Sequence, residues 1–284
     1  MQEQQKHFAT QDGTELFYRY RPAADGSADK AIVLFHRGHE HSGRMMFVAD
    51  ELGFDDFAYF AWDARGHGHS PGERGDSPGI GTSVADVDDF IRHIQSEYGI
   101  KPENICVIAQ SVGAVLVSTW LHDYAPKIRC AVLASPAFKV KLYVPFARTG
   151  LKIMQKWRGN FFVNSYVKAH YLTHNKERQT SYDNDPLIAR AISVRILLGL
   201  YEAAERVVAD AQAITTPVQL LISGSDWVVH HKPQHDFYNR LGSHIKERHI
   251  LPGFYHDTLG EEQRELAFAP MRRFLRECFA APPH

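Results

Sequence analysis

Three things are scarce in this sequence: excess charge of either sign, cysteine, and long apolar runs. Lys and Arg total 32 against 33 Asp and Glu, a formal net charge of −1 over 284 residues. That balance gives no whole-surface field to draw in nucleic acid or an anionic membrane, so neither is an expected partner. The three cysteines, Cys106, Cys130 and Cys278, sit in apolar contexts without C-x-x-C spacing. They read as buried thiols rather than a disulfide scaffold, which points to a reducing, cytoplasmic compartment. The first residues, Met1 to His7, are polar with no signal-peptide core, and no apolar stretch is long enough to span a bilayer. Internal repeats and low-complexity tracts are absent as well.

Histidine, by contrast, is abundant, with 17 residues and clusters at His36, His39 and His41, at His67 and His69, and at His230 and His231. No H-E-x-x-H or H-x-x-E-H can be written through them, so their spacing matches no ligand pattern and neither a metal nor another cofactor is expected.

A hydrophobic fraction of 44% supports a sizeable core, and the order of elements predicts one α/β domain with an insertion. Residues 14–20 are β-rich behind the turn Gln11-Asp12-Gly13, which predicts an opening hairpin at a sheet edge. Ala31 to Phe35 is an apolar run of strand length, suited to a strand buried on both faces, and Phe57 to Trp62 is a second. A helix is expected from near Ser42 to Leu52. Another starts at Thr82, with Asp86, Asp88 and Asp89 early in it to suit the helix dipole, and stops at Gly99. A strand ending at Ala109, a helix from Val112 to about His122, and a strand from Ile128 to Ala134 continue the alternation. This is the pattern of a mostly parallel, doubly wound sheet.

Between about 137 and 213 the alternation breaks down, and aromatic residues such as Phe138, Tyr143, Phe146, Trp157, Phe162 and Tyr166 interleave with basic ones. So long a span between consecutive strands predicts an inserted helical cap after the sixth strand, flanked by core segments 1–136 and 214–284. Most of its apolar residues are expected to form the cap's own small core, with a few facing an acyl trough. The parallel pattern resumes with a strand from Pro217 to Ile222, a helix from Pro233 to Leu241, a strand from Glu247 to Leu251, and a helical segment from Glu261 to Phe279. An ending at Ala-Pro-Pro-His just past a helix is compatible with a complete protein or with the first domain of a longer one.

The stretch from Ala109 to Gly113, Ala-Gln-Ser-Val-Gly, is a variant of G-x-S-x-G between a strand and a helix, the turn that stands a serine clear of a sheet. Locally it fits a plain helix N-cap at Ser111 equally well. Asp226 and His256 follow the last two predicted strands, so three candidate groups stand at the ends of three separate strands in the order serine, acid, histidine. The chemistry needs each: imidazole removes the hydroxyl proton and later protonates the leaving group, and a carboxylate fixes the tautomer. Asp257 reads as a surface or loop-capping residue, and Asp63 as the salt-bridge partner of Arg65.

The chain resembles the α/β-hydrolase superfamily, and within it the monoacylglycerol lipase and lysophospholipase group that shares its sequence class with serine aminopeptidases. The segment His36 to Arg44 is similar to that group's H-G-x-x-E-H-S-x-R, and Asp63 to Gly72 is similar to its D-x-x-G-H-G-x-S-x-G loop. Asp185-Pro186-Leu187 is similar to its cap ending. The resemblance implies a triad of Ser111, Asp226 and His256, and an oxyanion hole formed by the N–H groups of Gly38 and Val112. It also implies Glu40 and Arg44 at the polar end of the site, where an ion pair holding the loop is the alternative. Arg37 departs from the pattern's glycine, either narrowing the site or offering a cation to an anionic head group. Gln110 departs from the usual histidine. The expected function is hydrolysis of carboxylic esters of lipid-like substrates through an acyl-enzyme, with a small acyl ester as ligand and transient contact of the cap with a lipid surface. An acyltransferase or thioesterase using the same triad, and a non-catalytic binding module, are the alternatives.

Overall fold

The computed structural model describes residues 2–27, 29–142 and 146–282. Two antiparallel strands, β1 (Gln4–Ala9) and β2 (Glu15–Arg21), form the opening hairpin at one edge of an eight-stranded sheet. The turn expected at Gln11-Asp12-Gly13 joins them. Next come β3 (Ala31–Phe35), α1 (Phe47–Leu52), β4 (Ala58–Trp62), α2 (Ile80–Tyr98), β5 (Ile105–Gln110), α3 (Val112–Tyr124) and β6 (Cys130–Ala134). The inserted segment then carries α4 (Ala147–Arg158), β7 (Phe162–Asn164), α5 (Lys176–Asn184), β8 (Ala191–Ser193) and α6 (Val194–Ala209). The chain closes with β9 (Val218–Ser223), α7 (His231–Arg240), β10 (Lys246–Leu251) and α8 (Glu265–Ala280).

The main sheet runs in the order β1-β2-β4-β3-β5-β6-β9-β10, parallel from β4 to β10 and antiparallel at β1 and β2. Side chains of a strand alternate between faces, and this divides the core in two. Val33, Phe35, Val107 and Ala109 face α2, α3, α6 and α7, whereas Ile32, Leu34, Cys106 and Ile108 face α1 and α8. The continuous apolar runs of β3 to β6 follow from this, because both of their faces are covered. The three thiols are free and buried, all on the α1 and α8 side.

Two expectations about local structure are corrected. Helix α2 begins at Ile80, so Asp86, Asp88 and Asp89 lie beyond its first turn and do not serve the dipole. They are buried and hydrogen-bonded instead: Asp86 to Arg65, Asp88 to the Trp120 indole N–H, and Asp89 to the N–H of Gln11. Gly99 does end the helix, with φ of 69° in the left-handed region that costs glycine nothing.

Part of the inserted segment's apolar surface joins the main core rather than a small core of its own. Leu200, Ala204 and Val207 of α6, with Leu172, Tyr182 and Ile188, join the main cluster beneath. Helix α4 buries no residue at all. Tyr143 lies outside the described residues. No helix among them is long and apolar enough to cross a membrane.

Candidate active site

The turn between β5 and α3 is held in an unusual conformation. Ser111 has φ of 57° and ψ of −116°, a strained state for a residue with a Cβ. Its N–H donates to Ala134 O at 2.9 Å, and its carbonyl accepts from Ala137 N at 3.1 Å, so β6 fixes the strain in place. Gly113 is required because a Cβ there would lie 2.5 Å from His36 O and 2.8 Å from Phe35 O. The helix start can approach β3 this closely only without a side chain. Ser111 makes no side-chain cap to α3, so its hydroxyl is free for another partner.

That partner is His256. Ser111 Oγ lies 2.7 Å from His256 Nε2, and His256 Nδ1 lies 2.7 Å from Asp226 Oδ2. The three residues are 4%, 3% and 3% exposed. The other carboxylate oxygen of Asp226 accepts the N–H groups of Val228 at 2.7 Å and Val229 at 3.0 Å. Burial opposes ionisation of Asp226, but the His256 charge, its hydrogen bond and those two N–H groups outweigh it and hold the carboxyl below its usual range. An ionised Asp226 places the ring proton on Nδ1, which leaves Nε2 to accept the serine proton.

Gly38 and Val112 stand side by side, since a Cβ on Gly38 would come within 2.8 Å of Val112 Cγ2. Val112 is the first residue of α3, where backbone N–H groups have no intrahelical acceptor. The Gly38 loop is braced by His36, whose Nδ1 meets Arg37 O at 2.6 Å and whose Nε2 accepts Ala64 N–H at 3.0 Å. Burial pushes the His36 pKa down, which suits a neutral ring making both contacts.

Glu40 and Arg44 take part in a buried ion network, as the alternative for them anticipated. Glu40 accepts from Arg37 Nε at 3.0 Å, Arg37 Nη2 at 2.5 Å and Arg44 Nε at 2.9 Å. Burial raises the pKa of Glu40, but the two guanidinium groups dominate and leave it well below the usual range. Asp257 belongs to the same network and is buried, not at the surface. It caps the turn Thr258–Gly260 and pairs with Arg178 Nε of α5 at 2.9 Å and, more loosely, with Arg37 Nη2 at 3.6 Å. Asp63 does not pair with Arg65. It accepts the N–H groups of Ser42 at 2.6 Å and His69 at 2.7 Å, while Arg65 reaches Asp86 and Asp12.

Reasoning along the sequence missed the role of Gln110 as a tie. Its Nε2 donates to His256 O at 3.1 Å and to Asp257 Oδ1 at 3.3 Å, binding the serine turn to the histidine loop. The only signal was its departure from the familiar pattern.

Ser111, His256, Gly38 and Arg37 open into a cavity of about 800 Å³. Its walls are mainly apolar, including Val140, Leu151, Val167, Leu172, Ile192 and Leu197, contributed largely by the inserted segment. Glu40 and Arg44 are not on the wall. No group of three or more His, Cys, Asp or Glu among the described residues is arranged to hold a metal. A buried serine hydroxyl hydrogen-bonded to a histidine, facing an apolar chamber, is the arrangement that acyl transfer needs.

Residues 26–263 match the family described as serine aminopeptidase, S33. The uncharacterized protein YnbC of Escherichia coli is 61% identical over 273 residues, which cover 96% of this chain and 47% of that protein; the chain thus spans about half of this relative's length. Human monoglyceride lipase is 28% identical over 256 residues, covering 88% of this chain and 82% of the lipase. A soluble variant of monoglyceride lipase from Saccharomyces cerevisiae, solved in complex with a substrate analogue, superposes with a TM-score of 0.84 at 18% identity. It covers 97% of this chain and 94% of that one, a likeness of fold.

Proposed function

The chain belongs to the serine aminopeptidase S33 family, within the α/β-hydrolases, and from that premise we propose that it cleaves carboxylic esters of lipid-like substrates through an acyl-enzyme on Ser111. It is a serine hydrolase of the lipase and esterase type. The substrate is of the monoacylglycerol or lysophospholipid type. The observation that carries this reading is the unbroken path of two 2.7 Å hydrogen bonds from Ser111 through His256 to Asp226, opening into the apolar cavity.

In the proposed mechanism His256 Nε2 removes the proton from Ser111 Oγ as the oxygen attacks the ester carbonyl carbon. The negative charge that develops on the carbonyl oxygen is stabilised by the N–H groups of Gly38 and Val112, where one such donor is worth about 2.7–4 kcal/mol. Collapse of the tetrahedral intermediate breaks the bond to the alcohol, which leaves with the proton from His256. Water, deprotonated by the same ring, then attacks the acyl carbon and releases the fatty acid and free Ser111. Asp226 keeps the ring oriented and stabilises imidazolium during both steps.

The cap supports a contact with lipid surfaces. Phe146 and Trp157, at the two ends of α4, are each 87% exposed, with Ile153 also exposed and Arg148, Lys152, Lys156 and Arg158 on the same helix. An apolar stripe flanked by cations is the makeup of a helix that lies in a membrane interface. The free, buried thiols fit a cytoplasmic location.

Replacing Ser111 with Ala is expected to abolish hydrolysis of p-nitrophenyl acyl esters and covalent labelling by a fluorophosphonate. Wild-type turnover by that variant would refute the assignment.

A further inference from the structure

His256 sits in a loop that is neither strand nor helix, so its backbone is fixed by the partners it finds elsewhere. It is bound at three successive residues. Tyr255 N–H donates to Glu261 Oε1 at 2.8 Å, His256 O accepts from Gln110 Nε2 at 3.1 Å, and Asp257 N–H donates to Leu172 O at 2.6 Å. Gln110 ends β5 and Leu172 belongs to the inserted segment. Glu261 is itself tied to that segment. Its Oε2 accepts from Thr173 Oγ1 at 3.2 Å and from His174 N–H at 3.1 Å, and His174 Nδ1 lies 3.1 Å from Oε1.

Glu261 is a costly residue at this place. It is 2% exposed, and among the described residues its one ion-pair partner is the ring of His174, itself half exposed. A buried carboxylate without a fixed cation is unfavourable, and an apolar side chain of similar volume commonly serves stability as well or better. What an apolar side chain cannot do is accept from several donors at once. Glu261 gathers the N–H groups of Tyr255, His174 and Glu262, the Thr173 hydroxyl and the His174 ring. Charge-assisted bonds of this kind are directional as well as strong. The carboxylate therefore joins the residue before His256 to the inserted segment, from the side opposite Gln110 and Asp257. It is not on the cavity wall, so it acts on the reaction only through the loop it holds.

Resting on the reading of Ser111 as an ester-cleaving nucleophile, we propose that Glu261 is a positioning residue for His256, and that it makes the placement of the imidazole depend on the docking of residues 172–174. Loss of either hold lets the backbone of residues 255–257 relax, and His256 Nε2 leaves its 2.7 Å approach to Ser111 Oγ. Every step in which the ring moves a proton needs that approach. The apolar wall that receives the acyl group keeps its lining, so the loss falls on kcat and spares KM. The inserted segment is then part of the mounting of the base as well as a wall of the cavity.

The test measures kcat and KM on p-nitrophenyl butyrate, with active sites counted by fluorophosphonate labelling taken to completion, so that unfolded molecules do not enter the rate. Glu261→Gln keeps the shape but turns an amide NH2 toward groups that are themselves donors. It should lower kcat roughly 10- to 100-fold with KM within about twofold of wild type, the effect of a displacement approaching 1 Å at a reacting group. A second variant, Thr173→Val with His174→Phe, removes the segment's side-chain donors to Glu261 while keeping a ring at 174 to stack on Tyr255. It should lower kcat at least about threefold, again at unchanged KM, and should cost less than about twofold more when added to Glu261→Gln, because the connection is already broken. Wild-type kcat in Glu261→Gln, a loss confined to KM, or losses that multiply in the combined variant overturns the proposal. Should Glu261→Gln not fold, the second variant decides, and wild-type kcat in it refutes the dependence on the inserted segment. Wild type that turns over the ester while these substitutions leave kcat unchanged refutes this inference and leaves the ester-hydrolase reading standing. Wild type that neither hydrolyses the ester nor takes the label removes both.

Discussion

Gly113→Ala sets two effects of known size against each other. Alanine favours a helix over glycine by about 1 kcal/mol, so propensity alone predicts a more stable protein. The structure predicts the opposite. The new Cβ would lie 2.5 Å from His36 O and 2.8 Å from Phe35 O, and ordinary contact begins at 3.4 Å, so the closer pair must separate by about 0.9 Å. Neither neighbour yields easily, because both are backbone carbonyls at the end of β3, which is paired with β4 on one side and β5 on the other. Overpacking of this kind costs about 1–3 kcal/mol, which cancels or exceeds the gain in helix propensity. The displacement falls on Val112 and Ser111, one and two residues away, and a shift near 1 Å at reacting groups can cost on the order of 10²-fold in rate. The variant should therefore unfold in urea at a similar or modestly lower midpoint while losing roughly 10²-fold in kcat/KM on p-nitrophenyl butyrate. A variant about 1 kcal/mol more stable than wild type and fully active would refute the reasoning, because it would mean that the serine turn does not depend on this close approach.

Asp226→Asn is expected to lower kcat by on the order of 10⁴, the effect of losing the tautomer control in a triad. Asp257→Asn should act mainly on stability, because its carboxylate meets Arg178 and Arg37 rather than His256 Nδ1; a larger loss of kcat at 257 than at 226 would reverse the assignment of the acid. Acid should destabilise the fold early, since burial lowers the His39 pKa to about 4 and the His67 pKa to about 3, against about 6.5 when unfolded. These rings stay neutral in the folded state, so their stability contribution is complete above pH 6.5 and falls by up to about 1.4 kcal/mol per pH unit per histidine as pH drops from 6.5 toward 4. Urea midpoints that do not change between pH 7 and 5, or a His67→Asn variant with the wild-type slope, would contradict this. Phe146→Glu with Trp157→Glu should weaken sedimentation with phospholipid vesicles by at least about tenfold, because each aromatic forgoes about 1.5–3 kcal/mol of burial; unchanged binding would remove α4 from the interface.

Much of the frame was legible because its causes are local. The apolar runs of β3, β4, β5 and β6 signal burial on both faces, and Gly99 announces its own helix stop. Local pattern starts α2 two residues late, at Thr82, and makes dipole partners of the three aspartates, because their true partners Arg65, Trp120 and Gln11 are distant in the chain. Asp257 resembles a surface residue in the sequence for the same reason: the cations that make its burial tolerable come from α5 and from the loop after β3. The apolar residues of the inserted segment were visible, but a composition cannot say whether they pack on one another, on the domain beneath, or around a cavity.

The order of elements, and with it Ser111, Asp226 and His256 at the ends of three separate parallel strands, was determined by the sequence alone, because periodicity and turn chemistry act over a few residues. Only the tertiary structure decided which of the charged residues near them line the cavity and which carboxylates hold them. Glu40 and Arg44 lie off the wall, and Arg37, which lies on it, is held by Glu40 and Asp257. Such an outcome depends on contacts between loops far apart in the chain, and desolvation charges every unpaired group in a way that local pattern does not record.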